Sequence, residues 1–326
     1  MEIGVHLPQI SWEQEPLSLD HLIAVATAAE RLGFGTISAN DHLVYGRPWL
    51  DGPLAIAAVL AAAPTVRLMT SVALPVVRGP FALAKALSAI DLLSGGRLDA
   101  GLGPGSSQAD YALASIPFIE RWARFEEAIA AMRAVWDADL PPFVGRYYDT
   151  TGVTLSPPPV QPKGPPIWIG SWGSTAGLRR VARLADGWLA SGYNSTPEEF
   201  TTAWSTLRSM LEAERRDPST FPCTMATTWL RITDDEAETR AVTERLSHML
   251  RRPVEEVAGR LPIGPPSACV DLLGRYQAAG LQRVLLWPVK DEVQQLERIA
   301  LEVLPQLGSR ADGAPVGARA SSAEKP

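Results

Sequence analysis

The sequence predicts an α/β fold, a (β/α)8 barrel with insertions. Short β-rich runs alternate with longer helical ones along most of the 326 residues. Eight such units occupy roughly 300 residues, the size at which eight parallel strands and their helices close a barrel. Parallel strands need helical crossovers, and helical sequence follows each strand here. The same units could form an open doubly wound sheet, but that arrangement would begin with GxGxxG directly after the first strand. The glycines Gly101, Gly103 and Gly105 instead follow the fourth strand, with Pro104 among them.

The first strand is read over 3–8, "IGVHLP". The helix after it carries Leu22, Ala26, Ala29 and Leu32 at helical spacing, with Ser18 as N-cap and Gly33 as stop. Strand 35–39 with helix 53–63 makes the second unit, and strand 66–74 with helix 81–94 the third. The fourth pairs strand 97–103 with helix 121–136, where Trp122, Phe125, Ile129, Met132 and Trp136 share a face. From 137 to 166 the rhythm breaks into a proline-rich stretch. Phe143, Tyr147, Tyr148 and Val153 read as packed within it, so an ordered excursion across the surface is expected. Strands at 167–171, 187–192, 223–233 and 282–288 then alternate with helices at 175–185, 197–216, 234–250 and 293–304, with a further helix over 267–280. A barrel domain over 1–307 is expected to end in a disordered tail, 308–326, that has almost no apolar content.

The chain is 46% hydrophobic and 20% charged, which allows a sizeable core. A net charge of -6 argues against nucleic acid as partner, since phosphate backbones call for basic patches. No apolar run reaches the roughly 20 residues of a membrane helix. The start, "MEIGVHLPQ", has no basic n-region, so no signal peptide is expected. Cys223 and Cys269 lack CxxC spacing and read as reduced, packed thiols of a cytoplasmic protein.

In such barrels the site lies at the C-terminal ends of the strands. His6, Pro8 and Gln9 end the first strand, and Asn40, Asp41 and His42 the second. Thr70, Ser71 and Val72 fall near the end of the third, Gly103 to Ser107 after the fourth, and Trp287 at the eighth. No metal-ligand spacing occurs, and no GxSxG elbow follows a strand, so neither a metal-dependent nor a serine hydrolase is expected. His6 alternates with Val5 and Leu7, which points it into the barrel. The stretch "GSWGSTAG", 170–177, places small residues between a strand and a helix N-terminus. Backbone N–H groups can approach an anion there, with Ser171, Ser174 and Thr175 adding hydroxyls. The other reading is an ordinary tight turn with Ser174 as N-cap. Together with "GLGPGSS", the stretch favours a phosphate-bearing ligand.

Four segments, in order, carry a resemblance: "AERLGFGTISANDHL", "TVRLMTSVALPVVRGPFALAKALSAIDLLSGGRLDAGLG", "FVGRYYDTTGVTLSPPPVQPKGPPIWIGSWGSTAGLRRVARLADGW" and "AAGLQRVLLWP". Over about residues 1 to 305 the chain resembles the bacterial luciferase-like family of flavin- and deazaflavin-dependent oxidoreductases. The resemblance implies a (β/α)8 barrel holding F420 or FMN with the ring over the mouth. It places the ribityl phosphate at Ser171, Gly173 and Ser174, and a non-prolyl cis peptide at Ser71–Val72. Cofactor contacts are then expected from Asp41, Ser71, Val72, Gly103, Gly105, Ser106, Gly170, Ser171, Gly173 and Ser174.

Asp41-His42 looks like the Asp-His pair of the F420-dependent members. His42 would exchange a proton while the ring exchanges a hydride, and Asp41 would hydrogen-bond the ring's polar edge. The sugar-phosphate dehydrogenase branch has a glutamate where this chain has Ser106, so oxidation of a sugar phosphate is not expected. The resemblance therefore implies hydride transfer between F420 and a small organic substrate. The alternatives are an FMN monooxygenase fed by a separate reductase, its pocket closed by the 137–166 insertion, and a non-catalytic flavin-binding protein. An aromatic substrate pocket is expected from His6, Trp12, Tyr45, Trp49, Tyr111, Trp172 and Trp287, and a homodimer through helices near the early strands.

Overall fold

A computed structural model describes residues 1–12 and 16–308, so the expected tail falls, apart from Gly308, outside the described residues. The strands are β1 (Glu2–His6), β2 (Thr36–Ala39), β3 (Arg67–Thr70), β4 (Leu98–Leu102), β5 (Ile167–Gly170), β6 (Gly187–Ser191), β7 (Cys223–Ile232), β8 (Ile263–Gly264) and β9 (Arg283–Pro288). All but β8 form one closed parallel barrel in chain order, with β6 paired to β7 and β9 lying between β7 and β1. Val5 stands opposite Ile37 on one side and Leu286 on the other. Ala190 opposite Met225 closes the ring. The short β8 was not expected; it pairs with the outer end of β7 at Arg231 and Ile232, beyond the barrel proper.

The helices follow the apolar spacing. In Leu19–Leu32, Leu22, Val25, Ala26, Ala28 and Ala29 are buried, Ser18 Oγ accepts the His21 N–H, and Gly33 takes the left-handed conformation at φ 77°. The second helix is shorter than expected, Gly52–Ala58. The last one runs Glu292–Arg298 and then widens to a five-residue turn, Ile299–Val303. Pro305 explains the widening, because it has no N–H to continue the ladder.

The two-residue period of the strands builds two cores. Val5, Ile37, Leu68, Ala100 and Ile169 face outward into the layer shared with the helices. Their neighbours point into the barrel, where Met69, Trp168, Leu189, Ala226 and Leu285 form the central plug. Below that plug, at the N-terminal end, sits an ionic layer. Arg283, 2% exposed, is 3.1 Å from Asp99 and 2.8 Å from Glu2, and Arg67 is 2.5 Å from Asp99. Charged below and apolar at its centre, the barrel interior leaves only the C-terminal mouth for a ligand.

The 137–166 excursion is ordered; its ends lie at the bottom of the barrel, while its middle climbs the outside to the start of helix 121–136, where Arg124 stands 4.3 Å from the Tyr147 ring. Gln161 donates to the carbonyl of Leu98, where β4 begins, at 2.6 Å, and to Asp91 at 2.8 Å. It leaves a helix whose C-terminus is at the bottom of the barrel and enters β5 from below, and none of its residues lines the cleft at the mouth. Val153, read as packed, is 45% exposed. Cys223 and Cys269 are free and buried, and burial pushes both thiols up to about 12. Among the described residues no helix is long and apolar enough to cross a membrane.

Candidate active site

A cleft of about 520 Å³ opens at the C-terminal ends of β2 to β7. Of the residues expected to meet a cofactor, Asp41, Ser71, Val72, Gly103, Gly105, Ser106, Gly170, Ser171 and Ser174 line it. Gly173 does not; it turns the loop at φ 91° behind Trp172, which does line the cleft. The floor is shaped by missing side chains. A Cβ on Gly103 would stand 2.7 Å from Val72 Cγ2, and one on Gly170 would stand 3.0 Å from Cγ1. These glycines leave room for the Val72 side chain to rise between β4 and β5. The Ser71–Val72 peptide is cis, where the resemblance placed it. Ser71 Oγ is buried and has no partner among the described residues.

At the far end of the cleft lies the start of the helix Thr175–Leu184. Ser174 caps it, accepting the Gly177 N–H at 3.2 Å. The other first-turn N–H groups have no intrahelical acceptor and carry the positive end of the helix dipole. A Cβ on Gly177 would collide with Ser171 Oγ and stand 3.1 Å from Ser174 Oγ. Glycine there keeps both hydroxyls and the helix end within reach of an anion. The tight turn with Ser174 as N-cap is present, and the same turn leaves the helix end open to the cleft.

His42 lines the cleft with its side chain 19% exposed. Its Nδ1 lies 2.9 Å from Oδ2 of Asp110, whose side chain is 1% exposed. The other oxygen, Oδ1, accepts the backbone N–H groups of Leu43 at 3.1 Å and Val44 at 2.9 Å. Burial works to raise the Asp110 carboxyl, but the His42 and backbone hydrogen bonds outweigh it and hold the group below the usual carboxylate range. An ionised carboxylate only accepts, so Nδ1 carries the proton of this pair and Nε2 is left for the cleft. Tyr45 and Trp49 rings pack on the imidazole at 4.9 and 4.8 Å.

Asp41 is differently engaged. Both its oxygens meet Arg78, Oδ2 with Nε at 2.5 Å and Oδ1 with Nη2 at 2.6 Å, and Oδ2 also accepts the Leu74 N–H at 3.3 Å. Arg78 reaches Asp51 as well. The carboxylate thus ties the loop after β2 to the one after β3.

The aromatic residues divide. Trp172 lines the cleft, and Trp49 and Tyr45 back His42. Trp287, Trp12 and Trp229 form a cap over the ends of β1, β7 and β9, which meets the site through Trp49, 5.8 Å from Trp287, and cleft-lining Tyr193, stacked on Trp229 at 5.2 Å. His6 stacks on Trp287 at 3.6 Å and donates from Nδ1 to the Leu7 carbonyl at 2.8 Å. Burial lowers its pKa to about 3, so it is neutral. Neither His6 nor Trp287 lines the cleft. Tyr111 is 1% exposed, its hydroxyl donating to the Pro104 carbonyl, and it props the Phe118 ring at 5.2 Å.

The sequence reading missed Asp110 and Arg78. A signal for Asp110 was present: Ser107 to Asp110 has the Ser-x-x-Asp spacing of a helix start, and Ser107 Oγ accepts the Asp110 N–H at 3.3 Å. That pattern sets a helix at the mouth, but it does not say that the acid reaches across to the loop after β2.

Comparison with known proteins gives the frame for this geometry. The family model described as luciferase-like monooxygenase matches residues 1–283. The chain belongs to the luciferase-like monooxygenase family. Membership makes it an oxidoreductase. A luciferase-like relative from Beutenbergia cavernae, an F420-dependent glucose-6-phosphate dehydrogenase, is 30% identical over 89% of this chain and 94% of its own length. The F420-dependent hydroxymycolic acid dehydrogenase of Mycobacterium tuberculosis is 27% identical over 90% of this chain and 86% of its own. The crystal structure of monooxygenase RslO1 from Streptomyces bottropensis shares the fold, with a TM-score of 0.81 at 22% identity over 94% of this chain and 99% of that one.

Proposed function

We propose that this luciferase-like oxidoreductase uses the deazaflavin F420 to move a hydride to or from a small organic substrate, with His42 moving the accompanying proton. The observation that carries the reading is the buried Asp110 carboxylate on His42 Nδ1 at 2.9 Å, in the same cleft as the helix-end cradle. The cleft fits such a cofactor. It has a floor opened by Gly103 and Gly170 around Val72, an unpartnered buried hydroxyl on Ser71, and an anion cradle at Ser171, Ser174 and Gly177. When bound, F420 would supply a ring carbon that accepts or releases hydride.

The chain's own residues do the rest. His42 Nε2 has its lone pair free, so it can take the proton of a substrate hydroxyl or, once protonated, return it to a carbonyl oxygen. The Asp110 carboxylate stabilises the imidazolium and holds the ring's orientation. Ser106 stands where the sugar-phosphate branch carries glutamate, and the cleft is lined by Val72, Leu74, Trp172 and Leu189. An apolar alcohol or ketone therefore suits the site better than a sugar phosphate.

The test is a fluorescence titration of the apo-protein with F420 and FMN in parallel, followed by turnover of the His42→Ala variant. Preference for F420, with turnover lost and binding kept in the variant, is the expected result. Preference for FMN would move the reading to a monooxygenase supplied by a separate flavin reductase. Binding without any turnover in the wild type would leave a flavin-binding protein.

A further inference from the structure

We propose that Arg121 receives the carboxylates that F420 carries beyond its ribityl phosphate, on the lactyl-glutamyl tail. This rests on the F420 reading and extends it from the ring and phosphate to the end of the cofactor.

Arg121 lines the cleft with Phe118 and Trp122, at the end where Ser174 and Gly177 form the anion cradle. Its guanidinium lies 4.1 Å from the Phe118 ring centroid and 5.8 Å from that of Trp122. Its Nη1 donates to the Phe118 carbonyl at 3.1 Å. A guanidinium has about five N–H donors, so this contact leaves most of them unused. The two neighbouring cations are engaged: Arg124 is 2.8 Å from Glu120, and Arg180 is 2.7 Å from Glu126. Among the described residues no carboxylate stands within 4.0 Å of Arg121, although the chain has 36 acidic residues to 30 basic ones. An arginine held over an aromatic ring in the lining of a cleft, with donors to spare, is arranged for a planar anion.

The cradle and Arg121 suit different groups. Helix-end N–H groups and serine hydroxyls match the tetrahedral phosphate, while the fork of Arg121 matches a carboxylate. Arg180 packs over the Trp122 ring at 4.3 Å, which places this wall beside the helix that begins at the cradle. A ligand leaving the cradle toward solvent on that side passes Arg121. FMN ends at its phosphate and would leave the arginine unanswered; F420 continues.

The experiment measures dissociation constants by fluorescence for the wild type, Arg121→Ala and Arg121→Lys. The ligands are F420 with several glutamates, the deazaflavin cut back to its ribityl phosphate, the deazaflavin without phosphate, and FMN. The expected result is that Arg121→Ala weakens tailed F420 about tenfold, and leaves the phosphate-terminated deazaflavin and FMN within about twofold. Arg121→Lys should recover part of the loss, since it keeps the charge without the fork. Equal weakening of tailed and phosphate-terminated ligands would assign Arg121 to the phosphate and overturn the proposal, and so would no change with any ligand. Failure of the F420 reading appears separately, as a wild type that binds no deazaflavin.

Discussion

His42 and Asp110 come from loops at the ends of different strands, β2 and β4, yet their side chains meet at 2.9 Å with the acid buried. The same carboxylate accepts two N–H groups of the His42 loop, so one residue sets the ring's tautomer and the loop's position together. Replacing Asp110 with Asn keeps the shape but removes the charge that an imidazolium needs. Turnover is expected to fall roughly 10- to 100-fold with the cofactor dissociation constant within about twofold. Equal loss of binding and turnover would assign Asp110 a purely structural part.

Removing the imidazole is the stronger change. His42→Ala should cost about 10² to 10⁴ in kcat, the usual worth of a positioned acid–base group. Cofactor affinity should stay within a few-fold, because the ring's bed and the phosphate cradle are elsewhere. Steady-state kinetics beside an equilibrium titration separates the two.

Asp41 should behave otherwise, because both its oxygens are engaged by Arg78. Asp41→Asn leaves a half-buried guanidinium with Asp51 as its remaining acid. We expect a loss of about 2–3 kcal/mol in urea unfolding, at the low end for a broken buried pair, and little change in kcat of the folded enzyme. The opposite pattern, normal stability and a large kcat loss, would return Asp41 to a direct part at the ring.

Gly177→Ala tests the cradle. The added methyl meets Ser171 Oγ, which must move or close the approach to the helix end. Phosphate-bearing ligands should bind about tenfold more weakly, by the loss of a charge-assisted contact, while the deazaflavin without phosphate is unaffected. A titration with both ligands reads the difference.

His6 imposes a pH dependence on stability. Its pKa is about 3 in the folded chain against 6.5 when exposed, so between those values the unfolded chain binds the extra proton. Stability contributed by this site is therefore complete above about pH 6.5 and falls by about 1.4 kcal/mol per pH unit below it. His6→Phe, which keeps a ring on Trp287, should remove that slope. Urea midpoints measured from pH 7 to 4.5 for both proteins check it; parallel curves would sink the assignment. Asp110 has the same sign at lower pH: its lowered pKa adds stability that is complete above about 3.8 and lost as the pH drops further. Between pH 7 and 4.5 the slope therefore belongs to His6 and not to Asp110.

The barrel was legible because it is written in short-range periods. Val5, Ile37 and Leu68 outward, with Gly4, Ser38 and Met69 inward, follow from alternation alone, and Ser18 and Gly33 mark their helix by local chemistry. The strand ends, and so the cradle at 170–177, follow from those periods. The partners of each functional side chain do not. Asp41-His42 are adjacent in sequence, yet Asp41 turns to Arg78 and His42 to Asp110, because neighbouring residues leaving a strand point in different directions and meet whatever the next loops supply. Nor could composition separate the aromatic residues: Trp172 lines the cleft while Trp287 is sealed under His6. The residues themselves determined the elements and the end of the barrel that works. Which acid serves which base was decided by contacts 37 and 68 residues apart, where no local period reaches.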